Sequence, residues 1–384
     1  MSDPVVVIGG GIVGTAIASE LQLAGTDTIL VERDIDPQGA SAFSFASLSA
    51  FDEPQREVYL LKSHGLVAWR RWAKEFGDAL GVRFPGELRW AESHNAAAHL
   101  EALIERARSR GYPVRSVTSA EIKEREPGSV VERGAAASLA VEDGQADPLR
   151  ALDVLREAFA KAGGQLLIGR AGLMIGDSGV TVRIGDDRID ASKVVIATGA
   201  ETTALLERFG WDIPMDPSPG LLAVTQPLEP FLLGTVYVYP ESGIPVHLRQ
   251  LSDGRVVLGE RSQDEVAKEP TLEHAQKLLR QARKSFPALE AVEVDHFTVE
   301  WRPMPRDGMP VVGPLPGLPS LYVATAHSGV TIAPALAHFV AQEITGGEEP
   351  DRLKAFNPAR FSARQAEAYR SIEEAFGGSE LFLG

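Results

Sequence analysis

The chain has 384 residues, 44% of them hydrophobic, and a formal net charge of −15. This length and apolar content suffice for a large core and suggest two domains, while the acidic balance argues against a surface that binds nucleic acid or an anionic membrane. Cysteine is absent, which excludes disulfides, thiolate zinc sites and cysteine nucleophiles. The eight histidines show no metal-ligand spacing, so we expect no metal site.

The first predicted elements are a buried strand at 4–9, a helix at 12–25 and a strand at 27–32. A loop rich in Ser, Ala and Phe follows, and apolar spacing then predicts helices at 55–80 and 94–110. The chain therefore begins with alternating strands and helices.

The later elements alternate less regularly. They are predicted as helices at 148–162 and 271–285, strands at 165–168, 179–184, 188–198, 219–228, 235–239, 244–250, 254–261 and 293–302, and a strand, turn and long helix across 321–346. The apolar tract at 321–344 is interrupted by His327, His338 and Gln342, which makes it a poor membrane span. Since no secretory leader is visible either, we predict a cytoplasmic protein.

A dinucleotide-binding motif occupies the start of the chain. Gly9, Gly11 and Gly14 have the spacing GxGxxG, and Glu32 comes after seventeen further residues. The three glycines would allow a tight turn, a close approach to a pyrophosphate and close packing of the following helix. The helix N-terminus would face the phosphates, and Glu32 would accept the ribose hydroxyls. A glycine-rich packing turn is the alternative, but it would not require Glu32.

Three features favour FAD over NAD as the dinucleotide. The segment "VVIATGA" at 194–200 is a strand with a small-residue turn that could pass close to the cofactor. A helix starting near Ser328 would aim backbone donors at an electron-rich group such as a reduced flavin. An ordinary buried helix would show the same sequence pattern. A second GxGxxG, which an enzyme that reduces flavin with NAD(P)H would need, is missing.

The α/β pattern returns at about 147–205 and 308–346, whereas the segments between are richer in strands and aromatic residues. We therefore predict an α/β protein with a discontinuous Rossmann-like FAD-binding domain and an inserted substrate domain, or cap, built on an antiparallel sheet. The predicted segments are 1–45, 144–211 and 305–384 for the FAD-binding domain and 46–143 and 212–304 for the cap.

The sequence resembles the FAD-dependent D-amino-acid oxidase superfamily, nearest to its glycine oxidase and sarcosine oxidase branch. The resemblance runs nearly the whole length and rests on "VVVIGGGIVG…VERD", "GAS" at 39–41, "GQADP" at 144–148, "VVIATGA", "WRPMPRDGMPVVG" at 301–313, "ATAHSGVTIAP" at 324–334 and "FNPARF" at 356–361. It implies a two-lobed fold in which a sheet floors the substrate site. It also implies oxidation of an amine or amino acid by hydride transfer to flavin N5.

The resemblance also implies roles for particular residues. The ADP half would be bound by Gly9, Gly11, Gly14 and Glu32, with Arg33, Ala40 and Ser41 near the adenine and pyrophosphate. Gly199 would form the close turn, and the pyrimidine edge of the flavin would be followed by His327, Ser328, Gly329, Val330 and Thr331. Arg302 matches an arginine that binds the substrate carboxylate in several members.

The chain departs from the family pattern at two places. Some members tether FAD through a cysteine, which is missing here, so the FAD should be noncovalent unless a histidine is used. Members of the sarcosine oxidase type place a lysine near the flavin for oxygen activation, but the comparable strand "GRVVLGE" at 254–260 has none. Oxygen and another electron acceptor therefore both stay open.

Three residues are candidates for the substrate site. Arg302 precedes Pro303 and can offer a bidentate fork to a carboxylate, with a structural ion pair as the alternative. His247 and Arg249 share one face of a predicted strand, which would look either at the flavin or at solvent. His247 could deprotonate an ammonium substrate.

The predicted function is oxidation of the C–N bond of a small-molecule amino acid or secondary amine to an imine by an FAD-dependent oxidase or dehydrogenase. A 2-hydroxy-acid oxidase or dehydrogenase on the same fold is an alternative, with His247 or His327 as the base that it would need. A catalytically silent flavin-binding protein is another.

Overall fold

The computed structural model describes residues 3–131, 136–176, 179–241, 243–260, 271–361 and 381–382. Within these residues the helices are α1 (Ile12–Leu23), α2 (Gly39–Ala42), α3 (Arg56–Phe76), α4 (His94–Ser109), α5 (Ser119–Arg125), α6 (Pro148–Lys161), α7 (Thr202–Leu206), α8 (Leu272–Ser285) and α9 (Gly329–Gly346). The strands are β1 (Val5–Ile8), β2 (Thr28–Glu32), β3 (Ser47–Leu48), β4 (Val82–Arg83), β5 (Glu87–Ala91), β6 (Val114–Ser116), β7 (Ala136–Ala140), β8 (Gly144–Ala146), β9 (Gln165–Ile168), β10 (Ala171–Gly176), β11 (Gly179–Ile184), β12 (Asp187–Ala191), β13 (Lys193–Ile196), β14 (Met215–Asp216), β15 (Pro219–Thr225), β16 (Thr235–Tyr239), β17 (Val246–Gln250), β18 (Val256–Gly259), β19 (Val294–Trp301), β20 (Met304–Pro305), β21 (Val311–Leu315), β22 (Leu318–Thr325) and β23 (Leu381–Phe382).

A six-stranded sheet has the order β21-β22-β13-β1-β2-β9 and is parallel except for β21 at its edge. Every residue of β1 is buried, as expected for a parallel strand that is covered on both faces. Val5 and Val7 share a core with α1, α6 and α9, whereas Val6 and Ile8 share one with β10 and β11 of a smaller antiparallel sheet. Helices therefore cover one face of the main sheet, and the smaller sheet covers the other.

An eight-stranded sheet has the order β19-β15-β18-β17-β16-β5-β7-β6. Its neighbouring strands are antiparallel, as predicted, except for the parallel pair β5 and β16, where two separate segments of the chain meet without a hairpin. Leu248 and Val236 face a core shared with α8, so His247 and Tyr237, which alternate with them, face the other way.

Several predicted elements have different boundaries in the structure, and two differ most. The predicted strand at 188–198 is two strands, because the chain leaves β12 at Ser192, whose N–H and Oγ both donate to Pro4 O (3.0 and 3.1 Å), and then pairs with β1. The predicted helix at 55–80 ends at Phe76, because Gly77 has a φ of 62°. The predicted strand at 254–261 is observed as β18, and residue 261 lies outside the described residues.

The six-stranded sheet draws its strands from the segments predicted for the FAD-binding domain, and the eight-stranded sheet draws its strands from those predicted for the cap. The domain boundaries themselves stay a prediction, and most of the tail of the 305–384 segment lies outside the described residues. In the part of the chain that the structure describes, no helix is long and apolar enough to cross a membrane. The cytoplasmic location stays a prediction.

Candidate active site

A cavity of about 890 Å³ lies between the two large sheets. Its walls come from the turn after β1, the loop between β2 and α3, the ends of β13, β17 and β22, the chain around 300–304 and the start of α9. The volume is at the upper end of the range for small-molecule sites, and it suits a long cofactor with a small substrate beside it.

Backbone geometry makes glycine necessary in the turn after β1. Gly9 has a φ of 106°, and a Cβ atom added to it would lie 2.5 Å from Ala197 O. A Cβ atom on Gly14 would lie 1.9 Å from Gly9 O, so α1 can lie on β1 only with glycine there. Gly11 faces Ser41, whose Oγ accepts from the first N–H of α1 at Ile12 (3.0 Å). Gly9, Gly11 and Ser41 line the cavity, and Gly14 supports the turn from behind.

Glu32 at the end of β2 lines the same part of the cavity. Its Oε2 accepts from Gly10 N (2.5 Å) and its Oε1 from Arg33 N (2.7 Å), so the carboxylate joins the glycine turn to the loop after β2. A carboxylate has about four acceptor sites, which leaves capacity for ribose hydroxyls. The backbone and side-chain geometry is therefore compatible with the predicted role of Glu32.

Arg33 connects the end of β2 to the turn after β13. Its Nε lies 2.9 Å from Asp34 Oδ2 and its Nη1 lies 3.0 Å from Glu201 Oε1, and these hydrogen bonds raise its pKa. Gly199 begins that turn with a φ of 60°. Ala40, on α2, lies on the cavity wall with Arg33 and Gly199. The structure thus gathers these predicted cofactor residues at one end of the cavity.

Helix α9 begins on the cavity wall. Ser328 precedes it with a φ of 58°, and its Oγ lies 3.2 Å from His327 Nδ1. Val330 O accepts from Trp69 Nε1 (2.8 Å), and the Oγ of Thr331 donates to Ser47 O (3.0 Å). These bonds fix the first turn of the helix, whose leading N–H groups have no intrahelical acceptor.

A Cβ atom on Gly65 of α3 would lie 2.1 Å from Thr331 O, so α3 and α9 also need glycine at their contact. Gly329 lies on the cavity wall at the same helix start. The cavity therefore has two helix N-termini, of α1 and α9, together with a glycine turn that a Cβ atom would fill and the carboxylate of Glu32. This set of donors and acceptors fits a flavin dinucleotide.

His327 lies on the cavity wall next to two cations. Burial, followed by the positive charges of Lys62 and Arg302, lowers its pKa to about 3, against a smaller opposing effect of Asp52. The imidazole is therefore neutral at neutral pH, and it is a weak base.

Arg302 lies between β19 and β20, on the wall of the cavity. Its backbone N–H and its Nε both reach Ser218 O, at 2.9 and 3.4 Å. Burial lowers its pKa, and among the described residues no carboxylate lies within ion-pair distance of it. A half-buried guanidinium without a carboxylate within ion-pair distance among the described residues can receive an anionic ligand.

His247 and Arg249 have different surroundings, although both flank Phe45. The His247 ring lies on the cavity wall, 4.2 Å from the Phe45 ring centroid and 5.0 Å from that of Tyr237. Arg249 lies behind Phe45, donates from Nη1 to Ala146 O (2.7 Å) and does not line the cavity. Burial lowers its pKa to about 10. Arg249 therefore lies in a packed position away from the cavity wall, which does not support the predicted catalytic role.

The cavity wall also carries several charged residues that were not among the predicted site residues: Asp52, Glu53, Lys62, Arg89 and Arg170. One of them carries a signal in the sequence. Lys62 lies at helical spacing within the buried stripe of α3 that also contains Val58, Gly65, Trp69 and Trp72. A lysine in such a stripe is unusual, because a buried ammonium group needs a partner.

These features define an enzyme class: a two-lobed flavin dinucleotide enzyme with a substrate pocket under a sheet. The chain belongs to the DAO family, described as FAD dependent oxidoreductase, which it matches over residues 4–343. The predictions of the superfamily, of the fold class, of FAD and of an oxidoreductase are confirmed.

Two curated relatives and a solved structure cover nearly the whole chain. It is 28% identical to glycine oxidase from Pseudomonas aeruginosa, over 91% of this chain and 96% of that protein. It is 24% identical to one of the subunits of opine oxidase from Rhizobium meliloti, over 94% and 98%. The crystal structure of glycine oxidase from Geobacillus kaustophilus superposes with a TM-score of 0.81 at 24% identity, over 93% and 98%.

Proposed function

We propose that this protein oxidises the C–N bond of an amino acid or a secondary amine whose carboxylate is held by Arg302. The observation that carries the proposal is the half-buried Arg302 on the cavity wall, without a carboxylate partner among the described residues. The names of the curated relatives, glycine oxidase and opine oxidase, agree with this substrate class.

The cofactor residues follow from the same geometry. We propose that the ADP half of FAD is held by Gly9, Gly11, Gly14, Glu32, Arg33, Ala40 and Ser41, and the flavin half by Gly199, His327, Ser328, Gly329, Val330 and Thr331. When bound, the flavin supplies an acceptor for a hydride from the substrate carbon. With no cysteine in the chain, we propose that this FAD is noncovalent.

In the proposed reaction, the residues of the chain orient the substrate and accept a proton from it. The planar fork of Arg302 fixes the carboxylate, and therefore the carbon next to it, in one orientation. The rings of Phe45 and Tyr237 beside His247 exclude water from part of the wall. We assign His247 as the acceptor of the proton that an ammonium substrate must lose before its carbon is oxidised to the imine level.

Two alternatives are less well supported. Oxidation of a 2-hydroxy acid needs a base at the carbinol. The pKa of His327, lowered to about 3, makes that residue unsuitable near neutral pH, so of the two predicted bases only His247 would serve. A catalytically silent flavin protein would not explain why a desolvated Arg302 faces a cavity. The electrons then pass to dioxygen or to another acceptor, and the proposal does not depend on which of them is used.

An anaerobic flavin-reduction screen tests the proposal. The protein would be mixed with D- and L-amino acids, N-alkyl amino acids, simple amines and 2-hydroxy acids, and bleaching of the flavin absorbance would be followed. We expect bleaching by members of the first two groups. Bleaching by hydroxy acids alone, or by no compound, would overturn the proposed reaction.

A further inference from the structure

A second wall of the cavity is rich in charged residues. It consists of the loop at 49–55, the facing side of α3 and Arg89 of β5, and we call it the loop wall. Lys62 is its central cation: its residue exposure is 7%, and its Nζ lies 2.8 Å from Glu53 Oε2.

The other cation lining this wall, Arg89, already has its partners. Its Nη2 and Nε lie 2.6 and 2.8 Å from Glu87 Oε1, and its Nη1 lies 3.2 Å from Asp52 Oδ2. Its guanidinium also lies against the rings of Phe51 and Tyr237, at 4.7 and 4.2 Å from their centroids. Arg89 therefore has little capacity for a ligand.

Lys62 retains that capacity. Its ammonium group has three N–H donors, and Glu53 is its ion-pair partner within the described part of the chain. The buried position of Lys62 is fixed, because the next turn of α3 contacts α9 through Gly65 and Trp69. An ammonium group in this place can share its donors between Glu53 and a second anion.

The charges of the loop wall favour an anion over a cation. Arg106 donates to Asp52 O (2.9 Å), and Arg110 donates to Glu53 O and Pro54 O (2.6 and 2.8 Å), so both guanidinium groups lie behind the loop.

The loop wall and the layer directly behind it contain the cations Lys62, Arg89, Arg106 and Arg110 and the carboxylates Asp52, Glu53 and Glu87. Burial and the charge of Glu87 raise the pKa of the adjoining Asp143 well above its usual range, which favours its neutral form. These four cations outnumber the three carboxylates, so this side of the cavity has an excess of positive charge.

The loop wall adjoins the wall that carries Arg302. Gln55, at the end of the loop, donates from Nε2 to Asp307 O (2.7 Å), a few residues beyond Arg302. His327 lies in the same cavity within electrostatic reach of both Lys62 and Arg302. Lys62 and Arg302 therefore line the same cavity, and both lie near His327.

We propose that Lys62 is the centre of a second carboxylate subsite, so that the preferred substrates are secondary amines with one carboxylate on each side of the nitrogen. Arg302 holds the carboxylate next to the carbon that is oxidised, and Lys62 holds the carboxylate of the other N-substituent. The inference rests on the proposed function, because it takes the Arg302 site as the first subsite.

Two unreactive probes test this subsite without turnover. Oxydiacetate has two carboxylates around an ether oxygen, and methoxyacetate lacks one of them. Each would be titrated into the FAD-bound protein, and binding would be followed by the change in flavin absorbance. We expect the parent protein to bind oxydiacetate roughly tenfold tighter or more.

The variants separate the two subsites. Lys62→Met should abolish the preference for oxydiacetate and leave methoxyacetate binding intact, while Lys74→Met, an exposed lysine on the same helix, should behave like the parent. Glu53→Gln, which removes the competing carboxylate, should increase the preference, and it keeps the test available if Lys62→Met does not fold.

The outcomes are distinguishable. A parent protein that binds neither probe, or binds both equally, would overturn the second subsite, as would a preference that persists in Lys62→Met or is unchanged in Glu53→Gln. Arg302→Ala should weaken both probes. If Arg302→Ala leaves methoxyacetate binding unchanged, the proposed function is wrong, whatever Lys62 does.

Discussion

The two ends of the cavity are built in different ways. At the dinucleotide end, the geometry depends on the backbone: a Cβ atom on Gly9 or Gly14 would overlap a carbonyl oxygen, and Glu32 bonds main-chain N–H groups. At the substrate end, the wall is formed by side chains from distant segments, such as Lys62, Arg89 and Arg302. A cofactor common to a family can be held by fixed backbone, whereas substrate preference can vary through side chains.

The largest effect is expected from the substrate end. Arg89→Met should reduce the free energy of unfolding by about 3–5 kcal/mol, because it leaves Glu87, which is 1% exposed, as a buried charge without its guanidinium partner. Denaturant unfolding would measure it. Arg115→Met, which breaks an exposed pair with Glu121, is the control and should stay close to the parent. A similar small change in both would mean that the Arg89 pair is not buried in solution.

At the dinucleotide end, Gly14→Ala should reduce stability by about 3 kcal/mol, at the upper end for overpacking, because its Cβ atom would overlap Gly9 O. The variant should also lose FAD on gel filtration. Gly346→Ala is a matched control, since no atom lies within 4 Å of its added Cβ and the residue is in α9. Full FAD retention by Gly14→Ala would show that α1 does not lie as close to β1 as the structure has it.

Glu32→Ala should weaken FAD binding by about 1.5–3 kcal/mol, the range for hydrogen bonds to a charged group. The dissociation constant of FAD, measured after removal and titration of the cofactor, would report this change. Asp34→Ala, two residues away and beside Arg33, should have a smaller effect. Equal FAD affinities in Glu32→Ala and the parent would show that Glu32 does not bind the ribose hydroxyls.

The smallest effect concerns His327, at the border between the two ends. In the folded protein the pKa of His327 is lowered to about 3, whereas in the unfolded chain it is about 6.5. Between these pH values the unfolded chain binds a proton at this histidine and the folded protein does not. Stability should therefore decrease over this interval, by on the order of 1 kcal/mol at pH 5.5. His327→Gln should flatten this dependence, and His99→Gln, an exposed control, should not. Parallel pH curves for the parent and His327→Gln would contradict the assignment.

The same contrast explains what could be predicted from the sequence. The positions of Gly9 and Glu32 on the cavity wall, and of Gly14 behind the turn, could be predicted because one local segment contains the strand, the turn, the helix and the acid. His247 and Arg249 were placed on the right face by strand alternation, but periodicity could not tell that Phe45 separates Arg249 from the cavity. This depends on the loop at 39–54, whose path has no periodic signal.

The charged residues of the loop wall were missed for a related reason. Glu53 reaches Lys62 only when the loop at 49–55 folds against α3, and Arg89 reaches Asp52 only when β5 is docked against that loop. No spacing rule in the sequence links these residues. The lysine within the apolar stripe of α3 was the one local sign. The parallel pairing of β5 with β16 could not be predicted from the sequence either, because it joins separate segments without a hairpin.

The central claim is that Arg302 holds the carboxylate of the substrate, and a pair of arginine variants tests it most directly. Anaerobic flavin reduction by the best substrate would be measured for Arg302→Ala and for Arg306→Ala, an exposed arginine four residues away that pairs with Asp216. Arg302→Ala should lose about 2–4 kcal/mol in kcat/KM, with its flavin spectrum unchanged, while Arg306→Ala should match the parent. Equal rates of flavin reduction by Arg302→Ala and the parent at subsaturating substrate would contradict the account.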